Sequence, residues 1–570
     1  MRICLRLEPG TLRHRPDSPH RWSRQLSGVL AILALLGAGL VAAHDAPPPA
    51  TVSFRVAIDA GLGPLHHPVS TKSPQAQAYF DQGLKLVFAF NHEAAVSSFE
   101  RAFELDSGLA MAQWGIALAL GPNINKPMDE DAHKAAYAAL LRAVALEAQA
   151  SPEERTYIDA VAKRYSADPK ADVAPLQIAY KDAMKEVVRR YPRDNDAAVL
   201  YAESLMDLNP WKFWAPDGTP AEGTLEIVAV LERVLARAPA HIGANHYYIH
   251  AVEASPHPEK ALPSAKRLET LAPSAGHLVH MPAHTYIRTG NYLDAARANV
   301  AAVRADERRA ATGEESYYLV AYYGHNLHFL AIANAFAGNS RAALAAAVKL
   351  HDFEAPRVKE VPSVDNFGYL MAHEMLLVEF GRWDAILALP EPAFEAPSTT
   401  TMWHFARTLA LAGKGRGDDA TAERAQFLAA AATLSTSMDY GNNDAAALAA
   451  VARPYLDGRL ALMAGNTADG ILFLRSAVEA EDALVYDEPP GWYLPSRDVL
   501  GVALLRAQDF AGAEQVFRAE LARHPESGRA LFGLQAALTA QHRDREAAAV
   551  AQHFQRAWRA ADVKLDPAQM

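Results

Sequence analysis

Cysteine is almost absent from this chain of 570 residues, since Cys4 is its only one. Cys4 also lies in an N-terminal stretch that we expect to be removed on export, so the mature chain would contain no thiol. Such a chain forms no disulfide, holds no metal through thiolates and has no cysteine nucleophile. Thiol chemistry is therefore excluded from its functions.

Strand patterns, basic surfaces and the common catalytic motifs are missing as well. Apolar and polar residues hardly alternate, which speaks against β-sheets. The net charge is −11 and no basic stripe is present, so nucleic acid and anionic membranes are poor candidates as partners. The chain has no Gly-x-Ser-x-Gly elbow, no phosphate loop and no dinucleotide-binding glycine motif. An enzyme of this sequence would have to depend on a metal, with Glu253 or Glu203 as its base.

The N-terminus carries the features of an export signal. Arginines precede an apolar run over residues 29–43, which ends in the small residues Val41, Ala42 and Ala43. This order is typical of a secretory signal peptide, and it predicts cleavage after Ala43. We therefore expect a periplasmic or secreted protein of a bacterial secretory route. The alternatives are a retained membrane anchor, for which the run is short, and a cytosolic protein.

Small and aromatic residues recur at spacings that predict stacked helix pairs. Within residues 78–106 the pattern consists of Gly83, Ala95, Phe99 and Ala102. Within residues 497–525 it consists of Leu500, Gly501, Ala513, Phe517 and Pro525. Both segments resemble tetratricopeptide repeats (TPRs), in which small residues stand where the two helices of a unit cross. The chain therefore resembles the TPR family at both ends.

The resemblance implies an all-α, TPR-like solenoid, a superhelix of antiparallel helix pairs in which each pair buries one face on the next. It also implies a concave groove, lined by the first helix of each unit, that could hold a protein or peptide ligand. The predicted parts are a signal peptide (1–43), an extended Pro-rich lead-in (44–74), N-terminal TPR-like repeats (75–193), central His-rich repeats (194–350), divergent helical repeats (351–480) and C-terminal TPRs (481–570). No membrane span is expected in the mature chain.

Three insertions interrupt the repeat pattern. They cover residues 121–125, 209–214 and 487–493, and the last two are rich in tryptophan and other aromatic residues. Loops of this kind can cap a binding groove, and they can equally fill gaps between units.

Histidines are concentrated in the central repeats, where nine of the 22 lie between His241 and His328. His246 and His250 precede His280 and His284 by 34 residues, which is one repeat length. Each histidine of the first pair is therefore expected beside its counterpart on the next unit. His277 falls on the same helical stripe.

Further residues share this face by the same register. Glu253 lies one turn after His250, and a later unit places His325 and His328 where the earlier one has His277 and His280. In the preceding unit, Glu203 is expected beside His250, with Asp207 nearby. The predicted metal ligands are His246, His250, Glu253, His277, His280, His284, His325 and His328.

Neutral imidazole is the commonest metal ligand, and histidines with a carboxylate suit a transition metal ion such as Zn, Cu or Fe. Seven histidines exceed one tetrahedral site, so the cluster implies two metals, or one metal and a ligand-binding or acid–base set. His246, His250, His280 and His284 form the tightest group by register. Without metal, the imidazoles would make a pH-sensitive groove or bind an anionic ligand or peptide.

Pro282 disturbs the register between His280 and His284. Proline has no amide hydrogen for the carbonyl of Leu278, so the helix must bend there or begin only near Met281. The alignment of His277 and His280 with the preceding unit is therefore open.

Two functions follow from these patterns. The first is an exported TPR solenoid that binds a transition metal through histidines on its concave face, for metal handling or a metal-dependent activity. The alternative is a scaffold that binds a protein or peptide without metal, as the fold class suggests by analogy.

Overall fold

Helices account for most of the structure, which is a computed structural model that describes residues 54–312, 316–361 and 363–566. The predicted signal peptide and the first part of the predicted lead-in lie outside the described residues. Short connections join consecutive helices, which pack on one another from one end of the described chain to the other. This all-α, TPR-like arrangement confirms the predicted fold class.

The N-terminal part of the chain contains eight helices after a short 3-10 turn at Ala60–Leu62. They are α1 (Pro74–Val87), α2 (His92–Leu105), α3 (Ala110–Ala119), α4 (Glu130–Ala145), α5 (Pro152–Val161), α6 (Val173–Arg190), α7 (Asn195–Met206) and α8 (Thr224–Arg237). Another 3-10 turn, Glu147–Gln149, lies between α4 and α5.

The central part, which carries most of the clustered histidines, follows directly. Its helices are α9 (Ile242–Val252), α10 (Leu262–Leu271), α11 (Gly276–His280), α12 (Pro282–Arg288), α13 (Tyr292–Ala310), α14 (Gly324–Phe336) and α15 (Ser340–Glu354). Three shorter elements accompany them: 3-10 turns at Pro258–Ala261 and Ala355–Arg357, and a π-helix at Leu319–Tyr323.

The C-terminal part is helical too, apart from one small hairpin. Its helices are α16 (Ser363–Asn366), α17 (Ala372–Glu379), α18 (Trp383–Ala388), α19 (Pro397–Gly413), α20 (Gly417–Ala431), α21 (Ala445–Met463), α22 (Thr467–Asp482), α23 (Ser496–Arg506), α24 (Phe510–Arg523), α25 (Gly528–Ala540) and α26 (Asp544–Ala557). The hairpin pairs β1 (Asp439–Tyr440) with β2 (Asn443–Asp444) in antiparallel register.

Side-chain caps explain where several helices begin. The hydroxyl of Ser73 accepts a hydrogen bond from the amide of Ala76, and Pro74 occupies the first helical position. Ser151 and Glu154 form a reciprocal capping box at the start of α5. Each of these caps satisfies amide groups that a helix leaves unpaired at its N-terminus.

Glycines let an aromatic ring fit between helices at both ends of the chain. The ring of Phe99 packs so closely that a Cβ on Gly83 or Gly115 would lie 2.5 or 2.6 Å from it. Phe517 lies between Gly501 and Gly533 in the same way, with distances of 2.4 and 2.1 Å. The small and aromatic residues from which the repeats are predicted therefore pack against each other where neighbouring helices cross.

Segments distant in sequence pack around the central helices. The side-chain amide of Asn125 donates to the hydroxyl of Tyr322, at 3.0 Å. The hydroxyl of Tyr292 donates to the backbone carbonyl of Pro525, at 2.7 Å. A Cβ on Gly243 would lie 2.6 Å from the ring of Phe88. The central helices therefore contact segments from both the N-terminal and the C-terminal parts of the chain.

None of the helices in the described ranges has the length and the apolar character that crossing a bilayer requires.

Candidate metal centre

Four neighbouring helices bring the clustered histidines together. His246 and His250 lie one turn apart on α9, His277 and His280 lie on α11, His284 lies on α12 and His325 lies on α14. Helix α11 ends at His280, and α12 begins at Pro282. The bend at Met281 keeps one helical hydrogen bond, because the amide of Met281 donates to the carbonyl of His277 at 3.0 Å. Pro282 therefore redirects the chain without removing His277 and His280 from the cluster.

The first group, triad one, consists of His246, His250 and His277. One ring nitrogen from each of the three lies within 4.8 Å of the other two. The Nδ1 atom of His246 donates to the backbone carbonyl of Phe88 at 2.7 Å, which turns its Nε2 atom towards His277. The two Nε2 atoms are 3.1 Å apart.

The second group, triad two, consists of His280, His284 and His325. Their ligand atoms also lie within 4.8 Å of one another. The Nδ1 atom of His280 donates to the side-chain oxygen of Asn299 at 2.7 Å, which leaves its Nε2 atom 2.8 Å from that of His284. The Nε2 atom of His325 is 3.5 Å from that of His284.

Glu253 connects the two triads through its two carboxylate oxygens. Oε1 accepts from Nδ1 of His250 at 2.7 Å, and Oε2 accepts from Nδ1 of His284 at 2.5 Å. The hydroxyl of Tyr486 also donates to Oε2, at 3.1 Å. A carboxylate on the Nδ1 side of a histidine is the usual support for a metal-binding Nε2 atom. Glu253 is thus placed to orient one ligand of each triad.

These hydrogen bonds assign the tautomers of four imidazoles. His246, His250, His280 and His284 each carry a proton on Nδ1, because each Nδ1 faces an oxygen acceptor. In a neutral ring the Nε2 atom is then a lone-pair donor. The lone pairs of His280 and His284 face each other, and the Nε2 atom of His250 is buried without a hydrogen-bond partner among the described residues. The inward-facing atoms are therefore those of neutral ligands.

Burial favours the neutral form of five of the six triad histidines. Loss of contact with water lowers the pKa of four of the imidazoles well below the ordinary value: His246, His277, His280 and His325. It lowers the pKa of His250 as well. Burial alone would raise the pKa of Glu253, but His284 and His250 outweigh it, so that pKa falls below its ordinary value. Five of the six triad imidazoles are therefore held neutral near the negative carboxylate of Glu253, and neutral imidazole is the form that metal binding needs.

The structure groups the histidines differently from the repeat register. The register pairs His246 with His280, whereas the Nε2 atom of His246 is closest to that of His277. The predicted group of His246, His250, His280 and His284 is therefore divided between the two triads. The bend at Met281 causes the change, because α11 is short and α12 starts afresh at Pro282.

Three residues predicted on this face, the ligand His328 and the neighbours Glu203 and Asp207, belong to neither triad. The ring of His328 contacts those of Tyr369 and Tyr493 at centroid distances of 5.6 and 5.7 Å. Glu203 and Asp207 are buried with Arg164, whose guanidinium donates to Asp207 at 2.7 Å. The carboxylate that accepts a hydrogen bond from His250 is therefore Glu253.

All three insertions contact the cluster or the residues that cover it. Trp211 meets the ring of His250 edge-on at 5.2 Å. Asn125 binds the hydroxyl of Tyr322, and the Tyr322 ring meets that of His277 at 4.7 Å. The third insertion lines the cavity beside His325, and Tyr486 just before it donates to Glu253. The insertions therefore act as covers of the histidine cluster.

Several residues that shape the site carry no signal in the sequence. Phe88 acts through a backbone carbonyl, so its side chain gives no hint of the role. Asn299 on α13 and Tyr486 are isolated polar residues outside the repeat face. Phe90 packs against His246 and His277 at centroid distances of 4.5 and 5.4 Å. Only the histidines and Glu253 could be found from their spacing.

A small cavity reaches triad two from one side. It measures about 70 Å³, and its walls include His325, His328, Tyr369, Tyr440, Asp487 and Glu488. His325 is the one triad member that is partly exposed, whereas the other five are buried. Burial raises the pKa of Asp487 to about 7 and that of Glu488 to about 8. Access to the cluster is therefore from the His325 side.

Fold and site together define a TPR-like helical-repeat protein with a buried, doubly grouped histidine cluster. No known protein family matches the chain in a scan against family models, and no curated protein matches it by sequence.

The chain does show remote likeness to solved structures. Yeast Tom70 is 12% identical over 85% of this chain and 93% of its own, with a TM-score of 0.29. The human IFIT1 dimer with m7Gppp-AAAA is 12% identical over 86% and 91%, with a TM-score of 0.30. The TPR domain of P58(IPK) is 12% identical over 83% and 99%, with a TM-score of 0.20. Likeness at this level carries no information about what the present chain binds.

Proposed function

We propose that this protein binds a transition metal ion through the Nε2 atoms of its clustered histidines. The observation that carries the proposal is the convergence of six ring nitrogens in two triads, four of them on imidazoles whose Nδ1 atom already donates to an oxygen acceptor. A tetrahedral ion with nitrogen ligands at about 2 Å separates those nitrogens by about 3.3 Å. The Nε2 pairs of His246 with His277 and of His284 with His325 are 3.1 and 3.5 Å apart, close to that value.

A proton is the competing explanation for part of this geometry. A protonated His284, paired with Glu253, would donate to the Nε2 atom of His280 across their 2.8 Å separation. It would leave the buried Nε2 atom of His250 without a partner among the described residues. An unsatisfied buried polar atom costs about 1–3 kcal/mol. A metal in triad one gives His250 a partner that a proton on His284 does not.

The ligand set favours zinc, copper or iron. Three imidazoles in a dry site suit these ions, and no thiolate is offered by the described residues. Three protein ligands leave at least one coordination position for water or a substrate, as in metal sites that perform chemistry. The same set could equally store or transfer the ion.

The alternative, a groove that binds a peptide through its histidines, has less support. Five of the six triad histidines are 2% exposed or less, so a peptide on the surface would not reach them. A protein or peptide ligand in the concave groove stays a prediction. So does the periplasmic or secreted location, which rests on the N-terminal sequence alone.

Elemental analysis tests the proposal on protein expressed with zinc, copper and iron supplied. We expect a stoichiometric metal in the wild type and a loss in a His250→Ala/His284→Ala variant, which removes one ligand from each triad. The matched control is His257→Ala/His553→Ala, because both of these histidines are exposed. Circular dichroism checks that the helices of each variant remain.

Absence of metal from the folded wild type under every supplement would contradict the proposal. Full retention of metal by the folded triad variant would contradict the assignment of the ligands.

A further inference from the structure

The two triads are separate ligand sets in direct contact. His250 of triad one meets His284 of triad two at a ring-centroid distance of 5.5 Å, and His277 meets His280 at 5.8 Å. No residue belongs to both sets, so filling one triad does not use the ligands of the other. Two ions could therefore be bound at the same time as near neighbours.

Glu253 lowers the cost of placing two cations so close together. Its single negative charge is shared, with one oxygen on a ligand of each triad. Both Nδ1–H groups become more acidic when their rings bind a cation, so their hydrogen bonds to the carboxylate strengthen. The same residue thus supports both ions from the outer side of the rings.

The surroundings limit the size of any further ligand. The cavity that leads to His325 measures about 70 Å³, which is enough for water. Aromatic rings cover the opposite side, where Phe90 and Tyr322 pack on triad one. Water or hydroxide fits within this space.

Resting on the proposed metal binding, we infer that the protein holds a dinuclear centre: one ion in each triad, with a hydroxide or water ligand between them that enters past His325. Each ion takes three imidazoles and keeps one position for the shared oxygen ligand. A dinuclear centre adds three features to simple metal binding: the number of ions, their proximity and the shared oxygen ligand.

Copper(II) serves as the probe, since its electron spin reports on a second nearby spin. The wild-type protein is titrated with Cu(II) and its electron paramagnetic resonance spectrum is recorded at each step. We expect saturation at two ions per chain. We also expect the signal per copper to fall or broaden as the second ion binds, because a shared oxygen ligand couples the two spins.

Variants assign the ions to the triads. His325→Ala removes a ligand of triad two and should halve the saturation to one copper per chain, with an uncoupled signal. His246→Ala should do the same through triad one. His553→Ala, at an exposed position, should still bind two coupled ions.

The outcomes separate this inference from the metal binding on which it rests. Saturation of the wild type at one ion contradicts the dinuclear centre and leaves metal binding intact. Two ions with an uncoupled signal contradict the shared ligand. No bound copper, zinc or iron at all contradicts both.

Discussion

At the scale of single residues, the account depends on which way each imidazole faces. Four Nδ1 atoms are held by three kinds of acceptor: a backbone carbonyl, an amide oxygen and the carboxylate of Glu253. Fixed in this manner, the rings cannot turn their Nε2 atoms away from the centre. The cluster is therefore organised before any ion arrives, which reduces the entropy lost on binding.

Glu253→Gln tests the role of the shared acceptor. An amide has one acceptor oxygen and presents an NH2 group in place of the other, so it cannot receive Nδ1–H from both His250 and His284. One ring must turn or change tautomer, and we expect metal affinity to fall about 10–100-fold. Competition with a chromophoric chelator measures the affinity. Glu259→Gln is the control, since Glu259 is exposed; equal affinity in wild type and Glu253→Gln would show that the carboxylate orients nothing.

At the scale of helices, the sequence specifies faces better than it specifies alignment. The period of 34 residues correctly brings the histidines of α9, α11 and α12 together. The period does not reveal which rings are in contact. Pro282 divides one helix into two short ones, and this places His277 beside His246. A local break in hydrogen bonding thus decides how the ligands are shared between the triads.

Gly243→Ala tests how tightly α9 is fixed against the N-terminal helices. Its new Cβ would lie 2.6 Å from the ring of Phe88, whose carbonyl holds His246. Overpacking of this kind costs about 1–3 kcal/mol, partly offset by about 1 kcal/mol of better helix propensity. We expect a lower free energy of unfolding in urea and weaker metal binding.

The matched control is Gly417→Ala on α20, where an added Cβ meets nothing within 4 Å. This variant should keep or slightly raise the stability and leave metal binding unchanged. A Gly243→Ala protein as stable as the control, with unaltered metal affinity, would show that the contact with Phe88 does not position the site.

At the scale of the whole molecule, the enclosure of the site was not predictable from the repeats. The groove expected on the concave face is filled by residues far away in the chain. The carbonyl of Phe88 lies 158 residues from His246, and Tyr486 lies 233 residues from Glu253. Periodicity reports only on neighbouring units, so contacts of this range leave no trace in it. In the sequence, only the insertions indicate that the site is enclosed, and their aromatic residues fit both a cap over the groove and a filler between units.

Burial of uncharged histidines also shapes the stability of the metal-free protein. Burial lowers the pKa of His328 from the ordinary value of 6.5 to about 3. Between these values the unfolded chain binds a proton that the folded chain does not, so acid favours unfolding. Neutral His328 therefore does not lower the free energy of unfolding above pH 6.5, whereas at pH 5 it lowers that free energy by about 2 kcal/mol.

His328→Gln removes this proton uptake. Acid has the opposite effect through Glu488, because burial raises its pKa to about 8 and protonation then favours the folded state. The test therefore compares the variant with the wild type and does not rely on a single pH profile. Urea unfolding at pH 7.5 and pH 5, with a chelator present, gives the change in free energy for each. We expect the variant to lose about 2 kcal/mol less than the wild type on acidification. Identical losses would contradict a neutral, buried His328; His553→Gln is the exposed control.

X-ray absorption spectroscopy of the metal-loaded protein identifies the atoms bound to the ion, and so shows whether the clustered histidines hold it. We expect about three imidazole nitrogens per ion at about 2 Å, with the outer-shell scattering typical of histidine and no sulfur. A first shell made of oxygen ligands without imidazole scattering would contradict metal binding by these histidines.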